Sequence, residues 1–308
     1  MRIVFMGTPE FAIPTLRKLV EAGHDVVAVI TAPDKPAGRG LQLRPSPVKQ
    51  AAHELGLNIL QPPKLKNPEF IAELKALDAD LAVVVAFRML PEIVWRMPKK
   101  GTLNLHAALL PDYRGAAPIN WAIINGETKT GATTFFIDQQ IDTGDILLKT
   151  EIDLPEDWTA GDLYNEMMER GGNLVIETVA GIEADSIVPQ PQDEIAFLHA
   201  APKIFKGDCR INWEQTSKKV HDFIRGMSPY PTAWTQLGDK NLKVFRSTYS
   251  AENVAEKAGE VVIKDKKEMW VQCTEGSIQI IELQFEGKKR MPAGAFLLGY
   301  KDDARHVQ

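Results

Sequence analysis

Along the first 150 residues, apolar positions gather into short runs separated by mixed stretches. RIVFMG at 2–7, HDVVAVIT at 24–31, ADLAVVVAF at 79–87 and TLNLHA at 102–107 are almost continuously apolar or β-branched. Strands covered on both faces look like this. Between them, EFAIPTLRKLVEAG up to Gly23 and segments near 46–56 and 68–77 carry helical spacing. Thr8 is expected to cap the first helix, with Pro9 in its first turn and Pro14 making that start irregular. Apolar strands alternating with helices predict an α/β, Rossmann-like parallel sheet. INWAIING at 119–126 reads as a helix, and GATTFFID and GDILLKTEID read as strands. Residues 159–183 read as two helices interrupted by Gly171 and Gly172.

The texture then changes. Residues 184–206 have little periodicity and three prolines, which predicts a linker. KKVHDFIRGM is a short helix, and beyond it short strands alternate with turns, the spacing of a small OB-like β-barrel. The expected division is a catalytic domain over 1–183, a linker over 184–206 and a barrel domain over 207–308. The chain has 308 residues, 44% of them hydrophobic, which suits two domains with a sizeable core. Cys209 and Cys273 match no metal or redox spacing, so no metal is expected. The opening strand has no signal-peptide pattern, and the run at 79–87 is too short to span a bilayer. A cytoplasmic protein with no membrane contact is therefore expected.

Charge adds a hint. Net charge is −5, but residues 201–308 carry 18 Lys and Arg against 14 Asp and Glu, while residues 1–200 carry 18 against 27. An acidic first part and a mildly basic second part suit a polyanion meeting the second.

Candidate chemistry centres on Asn104 and His106. Side chains two apart on a strand share a face, here at the carboxyl end of a buried strand, where open α/β sheets bind ligands. By themselves the pair fits a satisfied buried histidine equally well. IDTGDI at 141–146 adds Asp142 in a tight turn. A carboxylate brought to His106 would set its tautomer and favour its protonated form, and Asn104 would donate to a developing oxyanion. Together they suit carbonyl transfer without a covalent enzyme intermediate. The bland alternative for Asp142 is a turn residue bonding its own backbone. Asp-Thr-Gly in an aspartic protease needs two copies in an all-β setting, and there is one. Gly7 stands without the rest of G-x-G-x-x-G, which disfavours a dehydrogenase. The stretch 32–49 holds four prolines, two glycines and Lys35, Arg39, Arg44 and Lys49. It is either a solvated loop or a basic arm that meets phosphates. KDKK at 264–267 and KKR at 288–290 read as hairpin turns, or as a nucleic-acid surface with Trp270.

Asn104-x-His106, the following LLPDYRGAAPIN and IDTGDI resemble the folate-dependent formyltransferases, and FMGTPEFA and PDKPAGRG…PSPVK extend the likeness from end to end. The resemblance implies direct transfer of the formyl group of 10-formyltetrahydrofolate, a co-substrate, to the α-amino group of methionyl initiator tRNA. It implies that Asn104, His106 and Asp142 are catalytic. It implies folate contacts from Ala108, Leu109, Leu110 and Pro111, and from Phe87, Arg88, Met89 and Leu90. It also implies tRNA contacts from Arg39, Arg44 and Lys49 and from the barrel domain, in a monomer. Two competing readings remain at this stage: a sugar-nucleotide amine as acceptor, and a non-catalytic tRNA-binding protein on the same scaffold.

Overall fold

Ile3, Val4, Phe5 and Met6 are fully buried, and the strand they form, β1 (Arg2–Gly7), lies inside a seven-stranded sheet. The computed structural model describes residues 1–37, 42–193, 199–300 and 306–307. After β1 come α1 (Ile13–Glu21), β2 (Asp25–Ile30), the short hairpin β3 (Lys35–Ala37) and β4 (Gln42–Arg44), and α2 (Pro47–Glu54). Then follow β5 (Ile59–Leu60), α3 (Pro68–Ala76), β6 (Leu81–Val85), α4 (Glu92–Trp95) and β7 (Thr102–His106). The chain continues through β8 (Arg114–Gly115), α5 (Pro118–Ile124), β9 (Lys129–Phe136), β10 (Ile146–Asp153), α6 (Ala160–Glu183) and β11 (Ala200–Ala201).

Sheet order is β10-β9-β7-β6-β1-β2-β5. The pairs from β5 to β7 are all parallel, as the continuous apolar runs predict. β9 joins antiparallel to β7, with Leu103 opposite Phe136 and His106 opposite Thr133. The strand with Asn104 and His106 is thus flanked on both sides.

Two local expectations are corrected. Thr8 caps nothing: Pro9 is the N-cap of a short 3-10 turn over Glu10–Ala12, without a side-chain bond, and α1 starts only at Ile13. Proline's preset backbone suits the entry of that tight turn. Nor are there two helices at 159–183. α6 is one helix of 24 residues. Its glycines mark close packing, not a break: a Cβ on Gly171 would sit 2.8 Å from Leu105 Cδ2, and one on Gly172 would sit 3.0 Å from Lys18 Cδ. Ordinary side chains cannot be so near without displacing a neighbour.

The described residues fall into two compact units. One comprises 1–115, 131–152 and 164–200, and the other 116–130, 153–163 and 201–308. The second unit contains α7 (Ser217–Gly226), β12 (Ala233–Leu237), β13 (Lys240–Ser250), β14 (Val261–Lys264), β15 (Glu268–Gln272), β16 (Ser277–Phe285), β17 (Met291–Pro292) and α8 (Ala293–Gly299). Its antiparallel strands run β12-β13-β16-β15-β14, with β17 on β16. Val307 pairs with Leu237 of β12 while His306 pairs with Glu260 beside β14, so residues from the C-terminus join the two edges. Joining edges this way removes unpaired strand groups. Trp213, Ile224, Leu242, Val244 and Ile278 fill the core. α5 belongs here: Asn120 Nδ2 donates to the carbonyl of Gly226 on α7 at 2.7 Å. Cys209 and Cys273 are free and buried, and burial pushes the Cys273 thiol up to about 12, which disfavours a thiolate there. No helix among the described residues is long and apolar enough to cross a membrane.

Leu105 is the residue between Asn104 and His106, and it is buried. Gly171→Val forces a side chain onto it. The expected result is a loss of about 1–3 kcal/mol in stability by urea denaturation, with a fall in kcat because the strand carrying both polar side chains must shift. A variant that keeps both wild-type values would show that α6 does not set the position of β7.

Candidate active site

His106 ends β7 with 5% of its surface exposed. Its Nε2 lies 2.9 Å from the carbonyl oxygen of Tyr113. A carbonyl only accepts, so Nε2 carries the proton. Tyr113 presents that oxygen from a left-handed backbone, φ 58, and its own N–H donates to the His199 carbonyl at 2.8 Å. The other ring nitrogen, Nδ1, faces Asp142 Oδ2 at 3.7 Å. That is beyond hydrogen-bond length and within reach of charge attraction.

Asp142 reaches this point from the loop between β9 and β10. Its backbone is left-handed, φ 57, which Asp tolerates better than most residues. Its Oδ2 accepts the Gly115 N–H at 3.0 Å. The loop is knitted internally: Thr143 Oγ1 donates to Asp138 Oδ1 at 2.8 Å, and the Phe136 N–H donates to the Asp145 carbonyl at 2.9 Å. Gly144 permits that closure, since a Cβ there would lie 1.7 Å from the Phe136 oxygen. Asn104 is half-buried, and its side-chain amide makes no hydrogen bond among the described residues. The site therefore holds one available amide donor, one imidazole nitrogen able to take or give a proton, and one carboxylate facing that nitrogen. These three groups can stabilise an oxyanion and move a proton, and none of them is a hydroxyl or thiol nucleophile.

The segment after β7 is fixed by a residue the sequence reading missed. Ala108 and Leu110 are fully buried, and Leu109 and Pro111 are half-buried. Thr133 Oγ1 donates to the Ala108 carbonyl at 2.7 Å and accepts the Leu110 N–H at 3.1 Å. Lys149 Nζ donates to the Leu110 carbonyl at 2.6 Å, and burial lowers its pKa. The paired threonines of GATTFF were the available signal, because a hydroxyl in a buried strand needs a partner. The Gly115 N–H and the Tyr113 carbonyl are backbone groups and left none.

The other expected contacts are less uniform. Phe87 and Leu90 are half-buried against the core around Val84 and Val94. Arg88 turns away to the carbonyls of Pro62 and Pro63, and Met89 is 75% exposed. Arg44 is exposed on β4, and Arg39 lies outside the described residues. Lys49 Nζ is bound to Asp34 Oδ2 at 2.7 Å. The Asp34 carboxyl is held below its usual range by the hydrogen bond from Gln61 and then by Lys49.

A largely parallel α/β sheet with an amide and an imidazole on one strand, and a carboxylate facing that imidazole, suits a group-transfer enzyme. The family described as "Formyl transferase" matches residues 1–179, and "Formyl transferase, C-terminal domain" matches residues 203–301, so the chain belongs to the formyl transferase family. Among curated relatives, a protein named Methionyl-tRNA formyltransferase from Bacteroides thetaiotaomicron is 49% identical over 98% of this chain and 96% of its own. One of the same name from Flavobacterium johnsoniae is 48% identical over 99% and 98%. Solved structures share the fold. An N-formyltransferase from Helicobacter canadensis, in complex with folinic acid and dTDP-3-aminofucose, has a TM-score of 0.67 at 19% identity, over 94% of this chain and all of that one. HypX from Aquifex aeolicus with tetrahydrofolic acid has a TM-score of 0.67 at 22% identity over 98% of this chain, which spans about half (48%) of that protein.

Thr133→Val removes the bridge between Ala108 and Leu110 and leaves a buried N–H and a buried carbonyl unpaired. The expected cost is about 1–3 kcal/mol of stability, with a raised KM for the formyl donor and a smaller change in kcat. Chemical denaturation and steady-state kinetics check both. An unchanged donor KM would detach the 108–111 segment from donor binding.

Proposed function

We propose that this chain transfers the formyl group of 10-formyltetrahydrofolate directly to the α-amino group of methionyl initiator tRNA, for translation initiation. The carrying observation for the chemistry is the Asn104 amide, without a partner among the described residues and two residues from His106, whose Nδ1 faces Asp142. The acceptor is supported by the full-length likeness to relatives named for methionyl-tRNA.

A neutral amine is already a nucleophile, which explains a site without one. As it attacks the formyl carbon, a C–N bond forms and charge gathers on the formyl oxygen. The Asn104 amide donates to that oxygen. His106 Nδ1 takes the proton the amine must lose, and Asp142 stabilises the resulting imidazolium. The proton then passes to the donor nitrogen as its bond to the formyl carbon breaks, giving formylmethionyl-tRNA and tetrahydrofolate. Ala108 to Pro111, with Phe87 and Leu90, offer the apolar and backbone groups that suit a folate ring; Arg88 and Met89 would join only by leaving their present positions. Arg39 and Arg44 supply charge for the tRNA acceptor arm, and Lys49 would add its charge only on release from Asp34.

The deciding experiment is formylation of methionyl initiator tRNA by the purified chain, with elongator methionyl-tRNA and amino-sugar nucleotides alongside. Fast transfer to the initiator alone is expected. Asn104→Ala should lower kcat by about 10²–10³, and His106→Ala should lower it at least as far. An amino-sugar nucleotide formylated as fast as the tRNA would overturn the acceptor.

Removing the charges of Arg39 and Arg44 together should raise the KM for tRNA and leave the donor KM unchanged. The wild-type advantage should shrink as salt rises, because phosphate contacts are electrostatic. Steady-state kinetics at low and high salt measure it, and a loss of donor affinity instead would contradict the assignment of the arm.

A further inference from the structure

We propose that Gln192 is a positioning residue for Asp142, resting on the reading of Asp142 as the carboxylate of the site. Gln192 lies in the proline-bearing stretch that the sequence presents as a linker. Gln190 pins this stretch by exchanging two backbone hydrogen bonds with Ile146, at 2.8 and 2.9 Å. Two residues on, the Gln192 side chain meets the loop that carries Asp142.

Its amide is used on every side. Nε2 donates to the carbonyls of Asp142 and of Gly144, each at 2.9 Å. Oε1 accepts from Arg114 Nε at 3.1 Å and Nη2 at 2.7 Å. The residue after Arg114 is Gly115, whose N–H holds the Asp142 carboxylate. A closed circuit results: Gln192 grips the backbone of Asp142 on one side and, through Arg114, the strand that grips its carboxylate on the other. Only an amide fits both ends. Two carbonyls require a donor group, and a guanidinium requires an acceptor. A left-handed Asp is held where it is only by surrounding bonds, so the grip on its carbonyl fixes how Oδ2 faces His106 Nδ1.

The two ends can be separated. Gln192→Glu keeps the acceptor for Arg114, as an ion pair, and turns a carboxylate toward the two carbonyls. Gln192→Met removes both ends. Each is made in the full chain, alone and with Asp142→Asn, and read by melting temperature, kcat, and KM for donor and methionyl-tRNA, with single-turnover rates for the double variants. Both single variants should lose about 10- to 100-fold in kcat, as misplacement of a reacting group does, with both KM values within about twofold of wild type. On the Asp142→Asn background, Gln192→Met should lose nothing more, because the turn then holds no carboxylate. A merely structural role predicts otherwise: Gln192→Glu would keep wild-type kcat through its ion pair, or the losses would multiply in the double variant. Either result overturns the proposal. A raised KM with kcat intact also overturns it, by making Gln192 a substrate contact. Wild-type kcat in Asp142→Asn alone would instead sink the underlying reading of the site.

Discussion

Tyr113 turns its carbonyl inward from a left-handed backbone and accepts the Nε2 proton of His106 at 2.9 Å. That bond settles which imidazole nitrogen is left for chemistry. With Nε2 committed, only Nδ1 can exchange a proton, and Nδ1 is the nitrogen that faces Asp142. The proposed mechanism depends on this tautomer: in the other one Nδ1 would already bear a proton and could not receive one from an attacking amine. The sheet, the loop after β7 and the loop after β9 all converge on keeping this orientation.

The left-handed backbone at both contacts is not free. A non-glycine residue in that region costs on the order of 1–3 kcal/mol, and Tyr113 and Asp142 both adopt it. Each is stabilised by bonds that a relaxed loop would lose: the Tyr113 N–H to the His199 carbonyl, the Gly115 N–H to the Asp142 carboxylate. Behind them, Gly171 lets α6 pack directly on Leu105, so β7 has little room to move. Strain at the loops and close packing at the strand bear on the same residue, His106.

Much of this was legible in the sequence. Continuous apolar runs marked β1, β2, β6 and β7, because a parallel strand is buried on both faces. The two-residue spacing of Asn104 and His106 placed them on one face, and Asp142 stood out as a carboxylate in a tight turn. Gly171 and Gly172 misled because a glycine pair breaks a helix or lets it pack closely, and the partner surface decides which. Thr8 misled because any hydroxyl before a proline resembles a cap, while the cap is decided by where the first turn closes. The antiparallel placement of β9, the Tyr113 carbonyl and the Gly115 N–H were invisible: each depends on backbone geometry brought about by distant residues.

Around His106, almost every polar group is already answered. Thr133 bonds on two sides, Asp142 Oδ2 accepts from Gly115, and Nε2 donates to Tyr113. His106 Nδ1, 3.7 Å from Asp142, and Asn104 are the exceptions, Asn104 being half-buried with an amide that no described residue meets. A half-buried amide can still meet water, and it is free to exchange a solvent bond for one to a ligand. Under the proposed formyl transfer, the acceptor for that amide would come from the reaction itself. A ground-state formyl oxygen would answer the amide weakly, and the oxyanion formed on attack would answer it strongly. On that reading the stabilisation regained would fall mainly on the transition state, and a difference of that kind is what accelerates a chemical step.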